Sequence, residues 1–309
     1  MRQSPAVRLQ PLARARVASL GEAGRCWEAG LPTLLSELAE RWSLTLGRAL
    51  PGGSASYVVA VRTATGEPAV VKVAMVDPGF EAEVEALRDA RGKGYARLLD
   101  HDPVRGAVLL ERLGPTLSGS GLGVEEQLDV LAATLAVAWR APDRSATDRA
   151  RALADGIASR RDLVGPADLP AVERALAYAA ELAGTDPADP VLVHGDPHPG
   201  NLLRVTAPRP GAATGWCLVD PEPCVTDAAY DLGVVLRDFS STLLADPGSA
   251  AARLRSWCAR VARRSGTDPE RVWAWGLLER VSTGLYVRSF GAPAVAEPFL
   301  RSAALLVDG

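Results

Sequence analysis

Three oxygen-bearing side chains carry the chemistry legible in this chain. Asp196 and Asn201 lie on one short segment, Val193-His194-Gly195-Asp196-Pro197-His198-Pro199-Gly200-Asn201-Leu202-Leu203. Asp220 follows in Leu218-Val219-Asp220-Pro221-Glu222-Pro223. The spacing fits transfer of a phosphoryl group from ATP, where one carboxylate orients a hydroxyl while an amide oxygen and a second carboxylate hold magnesium. The matching template is His-Arg-Asp-x-x-x-x-Asn, and Gly195 stands where its arginine would be. Asp196 is thus the candidate for the acceptor hydroxyl, Asn201 and Asp220 for Mg2+, a hard ion suited to oxygen donors.

Such groups need a rigid frame. Val191-Leu192-Val193 reads as one short strand and residues 201–205 as the next, with Pro197, Pro199 and Gly200 fixing the turn between them. His194 is expected to support the loop by hydrogen bonding. His198 either touches substrate or caps the turn.

The phosphates need a cation. Lys72 and Lys93 are the only lysines in the chain, and Lys72 sits in the β-branched run Pro68-Ala69-Val70-Val71-Lys72-Val73, hence a strand. It reads like the strand lysine that pairs with the α/β-phosphates. A helix follows, with Asp77 as its N-cap and Pro78 in its first turn. Glu81, Glu83 and Glu85 alternate along it and cannot share one face. Glu83, four residues before Leu87, is chosen as the Lys72 partner. Pro51-Gly52-Gly53-Ser54-Ala55-Ser56 is a hairpin turn, or a loop whose N–H groups approach phosphate. Residues 107–114 read as a strand ending in glycine.

Together these segments resemble the aminoglycoside 6-phosphotransferase family, which includes streptomycin 6-kinase and hydroxyurea phosphotransferase, within the protein-kinase-like superfamily. The resemblance extends through Arg97-Leu98-Leu99-Asp100-His101-Asp102, Leu109-Leu110-Glu111-Arg112-Leu113 and Asp227-Ala228-Ala229-Tyr230-Asp231-Leu232. It implies a two-lobed α+β fold: a mostly β nucleotide lobe over residues 1–113 with a helical N-terminal extension, and a mostly helical lobe over 114–309. It implies that the backbone around Glu111 and Leu113 meets adenine, that Gly52, Gly53, Lys72 and Glu83 serve the nucleotide, and that Asp231 buttresses the catalytic loop. One departure stands out. Arg288 and Phe290 occupy positions where carboxylates would suit a polycationic aminoglycoside, so the chain is expected to disfavour streptomycin. Glu222, Asp227, Asp238 and Glu279 are the acidic residues available near the loop.

Composition sets the bounds. The 309 residues are 48% hydrophobic and 23% charged, enough to bury a sizeable core, and the net charge of −3 favours neither nucleic acid nor anionic membrane. Cys26, Cys217, Cys224 and Cys258 form no Cys-x-x-Cys pair, which points to reduced thiols and a cytoplasmic protein. No run is long and apolar enough to span a bilayer, and residues 1–20 carry arginines without acids. Helices are expected over residues 31–42, 125–140, 146–161 and 169–182 and again from 227 onward, with residues 114–123 as connector and Trp139, Trp257, Trp273 and Trp275 as helix packing. The reading is an ATP- and Mg2+-dependent phosphotransferase acting on a small hydroxylated acceptor, with no protein partner implied. A metabolic sugar or amino-alcohol kinase and a nucleotide-binding pseudokinase are the alternatives.

Overall fold

The computed structural model describes residues 7–53, 55–75, 78–142, 144–183 and 189–308. The class is α+β, and the chain divides into two compact units. One comprises residues 1–92 and 96–114, the other residues 93–95 and 115–309.

The first unit is built on an antiparallel five-stranded sheet of order β1-β2-β3-β5-β4: β1 Thr45–Ala49, β2 Ser56–Arg62, β3 Pro68–Ala74, β4 Leu98–Asp102 and β5 Ala107–Glu111. Alternation assigns each strand residue to a face. Tyr57, Val59 and Val61 of β2 join Ala69, Val71 and Val73 of β3 and Leu109 of β5 on one side. There they pack on α1 (Pro11–Ser19) and α2 (Gly21–Arg41) through Ala13, Val17, Leu31, Leu35 and Leu38. Helix α2 starts ten residues before the expected Leu31 and runs through Pro32. The proline removes one backbone donor, but Leu31, Leu35 and Leu38 are wholly buried and hold the helix on the sheet. Helices α1 and α2 of the N-terminal segment are therefore part of this core. Lys72 falls on the opposite face of β3, toward α3 (Phe80–Ala90). Asp77, the expected cap of α3, lies outside the described residues, and Gly79 occupies the N-cap position.

The second unit is helical: α4 (Val124–Ala138), α5 (Arg149–Ala158), α6 (Leu169–Ala183), α7 (Ala228–Arg237), α8 (Ser240–Ala245), α9 (Ala250–Ser265), α10 (Pro269–Ser289) and α11 (Pro293–Ala304). Helix α10 is buried along most of its length and packs against α6, α7, α9 and α11. It crosses α7 closely. A Cβ on Gly233 would meet Trp275 Cβ at 2.6 Å and Gly276 N at 2.7 Å, so only glycine allows this crossing. Two antiparallel ribbons complete the unit: β6 (Val191–Val193) with β9 (Cys224–Thr226), and β7 (Leu202–Arg204) with β8 (Trp216–Leu218).

The loop from β6 to β7 is held from beneath by one carboxylate. Asp231, fully buried in the first turn of α7, accepts hydrogen bonds from His194 N at 2.8 Å and Gly195 N at 2.9 Å. Trp139 Nε1 adds a third at 2.8 Å. Trp139 was expected to be helix packing; it lies just past α4 and serves as a polar clamp instead. Burial pushes the Asp231 carboxyl up to about 6, against the lowering effect of these three donors.

Asp231→Asn tests this support. An amide would set an N–H2 group against incoming N–H donors and strand at least one of them in the interior. We expect a loss of about 1–3 kcal/mol in unfolding free energy and a lower Tm by thermal denaturation. An unchanged Tm would show that the loop is held by other means.

Candidate active site

The catalytic-loop geometry begins with a glycine. Gly195 has φ +93°, and a Cβ there would lie 1.9 Å from the Glu222 carbonyl oxygen. The template arginine cannot occupy this position, because the loop passes too close to the segment following Asp220. That segment is tied back by Glu222 N donating to His194 O at 2.8 Å.

His194 is fully buried and neutral, burial pushing it down to about 4. Its Nδ1 accepts from Asp196 N at 3.1 Å, so the ring proton is on Nε2, which donates to Val219 O at 3.0 Å. The Tyr95 ring stacks on it, with centroids 5.6 Å apart. One imidazole therefore joins the backbone of Asp196 to the residue before Asp220. Its role is support, as the sequence suggested.

Asn201 donates its amide N–H to the Asp196 carbonyl at 3.0 Å, a bond that does not use Oδ1. Register pairs Leu202 with Leu218, and Val219 N donates to Asn201 O at 2.9 Å. Asn201 and Asp220 thus sit at adjacent ends of β7 and β8. Asp220 adopts φ +61°, a left-handed conformation that aspartate tolerates better than most residues. Among the described residues no group of three or more His, Cys, Asp or Glu side chains forms a metal cage. Two oxygen donors suit magnesium bound with a nucleotide, since phosphates and water supply the remaining ligands.

Asp196 is less exposed to chance than a loop carboxylate would be. Arg237 Nη2 donates to its Oδ1 at 2.7 Å. Burial would raise the Asp196 carboxyl, but Arg237 and then His198 outweigh it and hold the group below its ordinary value. His198 Nδ1 accepts from Gly200 N at 3.1 Å, the turn-capping role, and the ring also lies between Asp196 and Asp238 at 3.8 and 3.5 Å.

In the first unit, Lys72 Nζ contacts both Glu83 oxygens, at 2.6 and 2.7 Å. Glu83 is the glutamate of the three that reaches it; Lys72 and Glu83 are both buried. Gly52 and Gly53 lie between the paired strands β1 and β2, with Leu50 N donating to Val58 O at 2.9 Å. Neither has a positive φ, so the turn itself does not demand glycine, and nothing lies within 4 Å of a Cβ on Gly53. Glu111 closes its own hairpin, donating its backbone N–H to Arg97 O at 3.0 Å and accepting from Arg97 N through Oε1 at 2.8 Å. Leu113 is buried just beyond β5.

The acidic residues near the loop divide. Asp227 caps α7 through Ala229 N and pairs with Arg271. Glu279 is buried and accepts from Tyr230 Oη at 2.7 Å and Arg237 Nη1 at 3.3 Å. Glu222 is exposed and Asp238 half-buried beside the loop.

Arg288 and Phe290 are both engaged by neighbouring residues. Arg288 donates to Asp168 Oδ2 at 2.7 Å and to Leu163 O at 2.8 Å, with Glu297 at 3.6 Å, so two carboxylates already neutralise it. Phe290 is buried edge-on against Tyr286. Neither adds free positive charge that would repel a cationic acceptor. Trp275 likewise packs, edge-on to Tyr230.

Sequence reasoning missed Arg237 and Arg149. Arg237 ends the apolar run Leu232-Gly233-Val234-Val235-Leu236. A cation there must find a carboxylate, which was the available signal.

The profile of the aminoglycoside/hydroxyurea antibiotic resistance kinase family matches residues 41–291. A streptomycin 6-kinase of Streptomyces glaucescens is 36% identical over 229 residues, 72% of each chain. Another, of Streptomyces griseus, is 33% identical over 291 residues, 92% of each chain. Among solved structures, an amicoumacin kinase in complex with AMP-PNP, Ca2+ and Ami superposes with TM-score 0.61 over 88% of this chain and 92% of its own, at 12% identity. That likeness shows a protein-kinase-like fold. With the loop geometry and relatives that align along most of its length, the chain belongs to the aminoglycoside/hydroxyurea antibiotic resistance kinase family and is a small-molecule phosphotransferase with an alcohol group as acceptor.

Proposed function

We propose that the protein transfers the γ-phosphoryl group of a magnesium–ATP complex to a hydroxyl of streptomycin and so inactivates the antibiotic. The observation that carries this reading is the convergence of Asp196, Asn201 and Asp220 on one hydrogen-bonded assembly, organised by His194. The family relationship supplies the acceptor class. Glu222 and Asp238 keep surface beside Asp196 and suit a guanidinium-bearing acceptor, because a cation entering a cleft needs carboxylates around it.

In this reading Asp196 accepts the hydrogen of the attacking hydroxyl and fixes its line of approach. Phosphoryl transfer has a loose transition state, so positioning contributes more than base strength. A low proton affinity at Asp196 is compatible with that task. Asn201 Oδ1 and Asp220 would hold magnesium, which when bound neutralises charge on the phosphates. Lys72, steadied by Glu83, would set a point charge against the phosphates. The backbone around Leu113 and the Gly52–Gly53 loop are assigned to the nucleotide by family resemblance. Streptomycin-dependent release of ADP from ATP tests the acceptor. Release with hydroxyurea but not streptomycin would move the assignment within the family.

Asp196→Ala and Asp220→Ala are each expected to abolish nearly all turnover while the protein stays folded. A positioned acid–base group contributes about 10²–10⁴-fold. Asp196→Ala should still bind ATP, measurable by isothermal titration calorimetry. Wild-type turnover in Asp196→Ala would remove this residue from the mechanism.

Lys72→Ala should lower kcat/KM for ATP about ten- to a hundredfold, the equivalent of a lost charge-assisted contact of roughly 1.5–3 kcal/mol. Steady-state kinetics with ATP varied at saturating acceptor measures it. An unchanged kcat/KM would reject the phosphate role.

A further inference from the structure

Asp196 has two oxygens with different surroundings. Oδ1 takes the 2.7 Å bond from Arg237, while Oδ2 has His198 Nε2 at 3.8 Å, beyond hydrogen-bonding distance. We propose that Arg237 and Glu279 form an orienting pair for Asp196, holding Oδ1 so that Oδ2 is the oxygen presented to the acceptor hydroxyl.

The argument rests on how Arg237 is itself held. It is the last residue of α7 and is 8% exposed. Nη1 donates to Thr283 Oγ1 at 3.1 Å and to Glu279 Oε2 at 3.3 Å, both on α10. Nε donates to Asp238 Oδ1 at 3.2 Å. The planar guanidinium is thereby fixed through two of its nitrogens before the third meets Asp196, and its direction is set by the helices rather than by the loop. Glu279 is anchored in turn by the Tyr230 hydroxyl at 2.7 Å and lies 3.8 Å from Arg149 Nη2. The glycine crossing of α7 and α10 at Gly233 brings the two sides of this relay together.

A structural alternative exists. Arg237 could do no more than neutralise Glu279, a buried carboxylate that would be costly alone. The two roles differ in what a charge-conserving change does. Lysine at position 237 keeps the charge but loses the fork, so it can compensate Glu279 without fixing Asp196. An orienting residue also acts on kcat and leaves nucleotide KM in place.

The inference rests on the phosphotransferase reading above, and the test separates the two. ADP release is measured for the wild type with streptomycin, or with hydroxyurea should streptomycin give none. Absence of turnover with both rejects the reading and this proposal together. With an active wild type, Arg237→Lys and Glu279→Gln are compared with it, varying ATP and acceptor separately. We expect kcat to fall on the order of a hundredfold in Arg237→Lys, the loss associated with small misplacement of a reacting group, and less in Glu279→Gln. KM for ATP should stay within about twofold. Arg237→Ala should recover part of its kcat on addition of methylguanidine, which can refill the fork. In an Asp196→Ala background, Arg237→Lys should cause no further loss, since the two residues act as a unit. Wild-type kcat in Arg237→Lys, with or without a lower Tm, overturns the proposal while leaving the phosphotransferase reading intact. Should Arg237→Ala fail to fold, the kcat and ATP KM of Arg237→Lys decide the question alone.

Discussion

The buried carboxylate of Asp231 is the interaction on which the second unit depends. A tight loop carries backbone N–H groups that cannot pair within a helix or sheet, and buried donors without acceptors are costly. Asp231 meets two of them, at His194 and Gly195, and binds Trp139 with the same carboxylate. The start of α7, the end of α4 and the loop become one rigid body through a single side chain. Everything proposed for Asp196 presupposes that rigidity.

From this point charge alternates outward in a connected set. Asp196 meets Arg237, Arg237 meets Glu279 and Asp238, and Glu279 meets Tyr230 and approaches Arg149. Buried ions are tolerated when each has a partner and costly when one is removed. A network of this kind fixes directions more than it adds stability. That suits an active-site carboxylate, whose function depends on where its oxygens point. Arg280, fully buried on α10, fits the pattern less well. It donates Nη2 to Leu236 O at 2.7 Å, yet among the described residues its Nε and Nη1 have no hydrogen-bond partner, and burial pushes it down to about 10.

Lys72 and Glu83 show the same economy in the first unit. Strand alternation puts Lys72 on the face of β3 away from the apolar core, and the helical spacing of α3 buries Glu83 with Phe80, Val84 and Leu87. A bidentate contact then holds the lysine in one place. Gly195 illustrates a constraint of another kind. The sequence departs from the template at this position because a backbone carbonyl occupies the space a side chain would need.

Patterns that depend on neighbours in the chain were legible from sequence. Apolar, β-branched runs marked β3 and β6, proline and glycine marked the turn after Asp196, and the spacing of Asp196, Asn201 and Asp220 marked the chemistry. The α+β class was implied by the family resemblance. Boundaries were less legible, as the early start of α2 through Pro32 shows, since burial of Leu31, Leu35 and Leu38 overrode a local helix breaker. Tertiary structure alone decided which charges meet. Arg288 reads as an isolated cation in sequence and is neutralised by Asp168, 120 positions away, and by Glu297 on the next helix. Arg237 reads as the end of an apolar helix and reaches a carboxylate 41 positions away. Periodicity is a property of consecutive residues and is written along the chain. Pairing of buried charges depends on which helices cross and how closely, and that is settled only when the core packs.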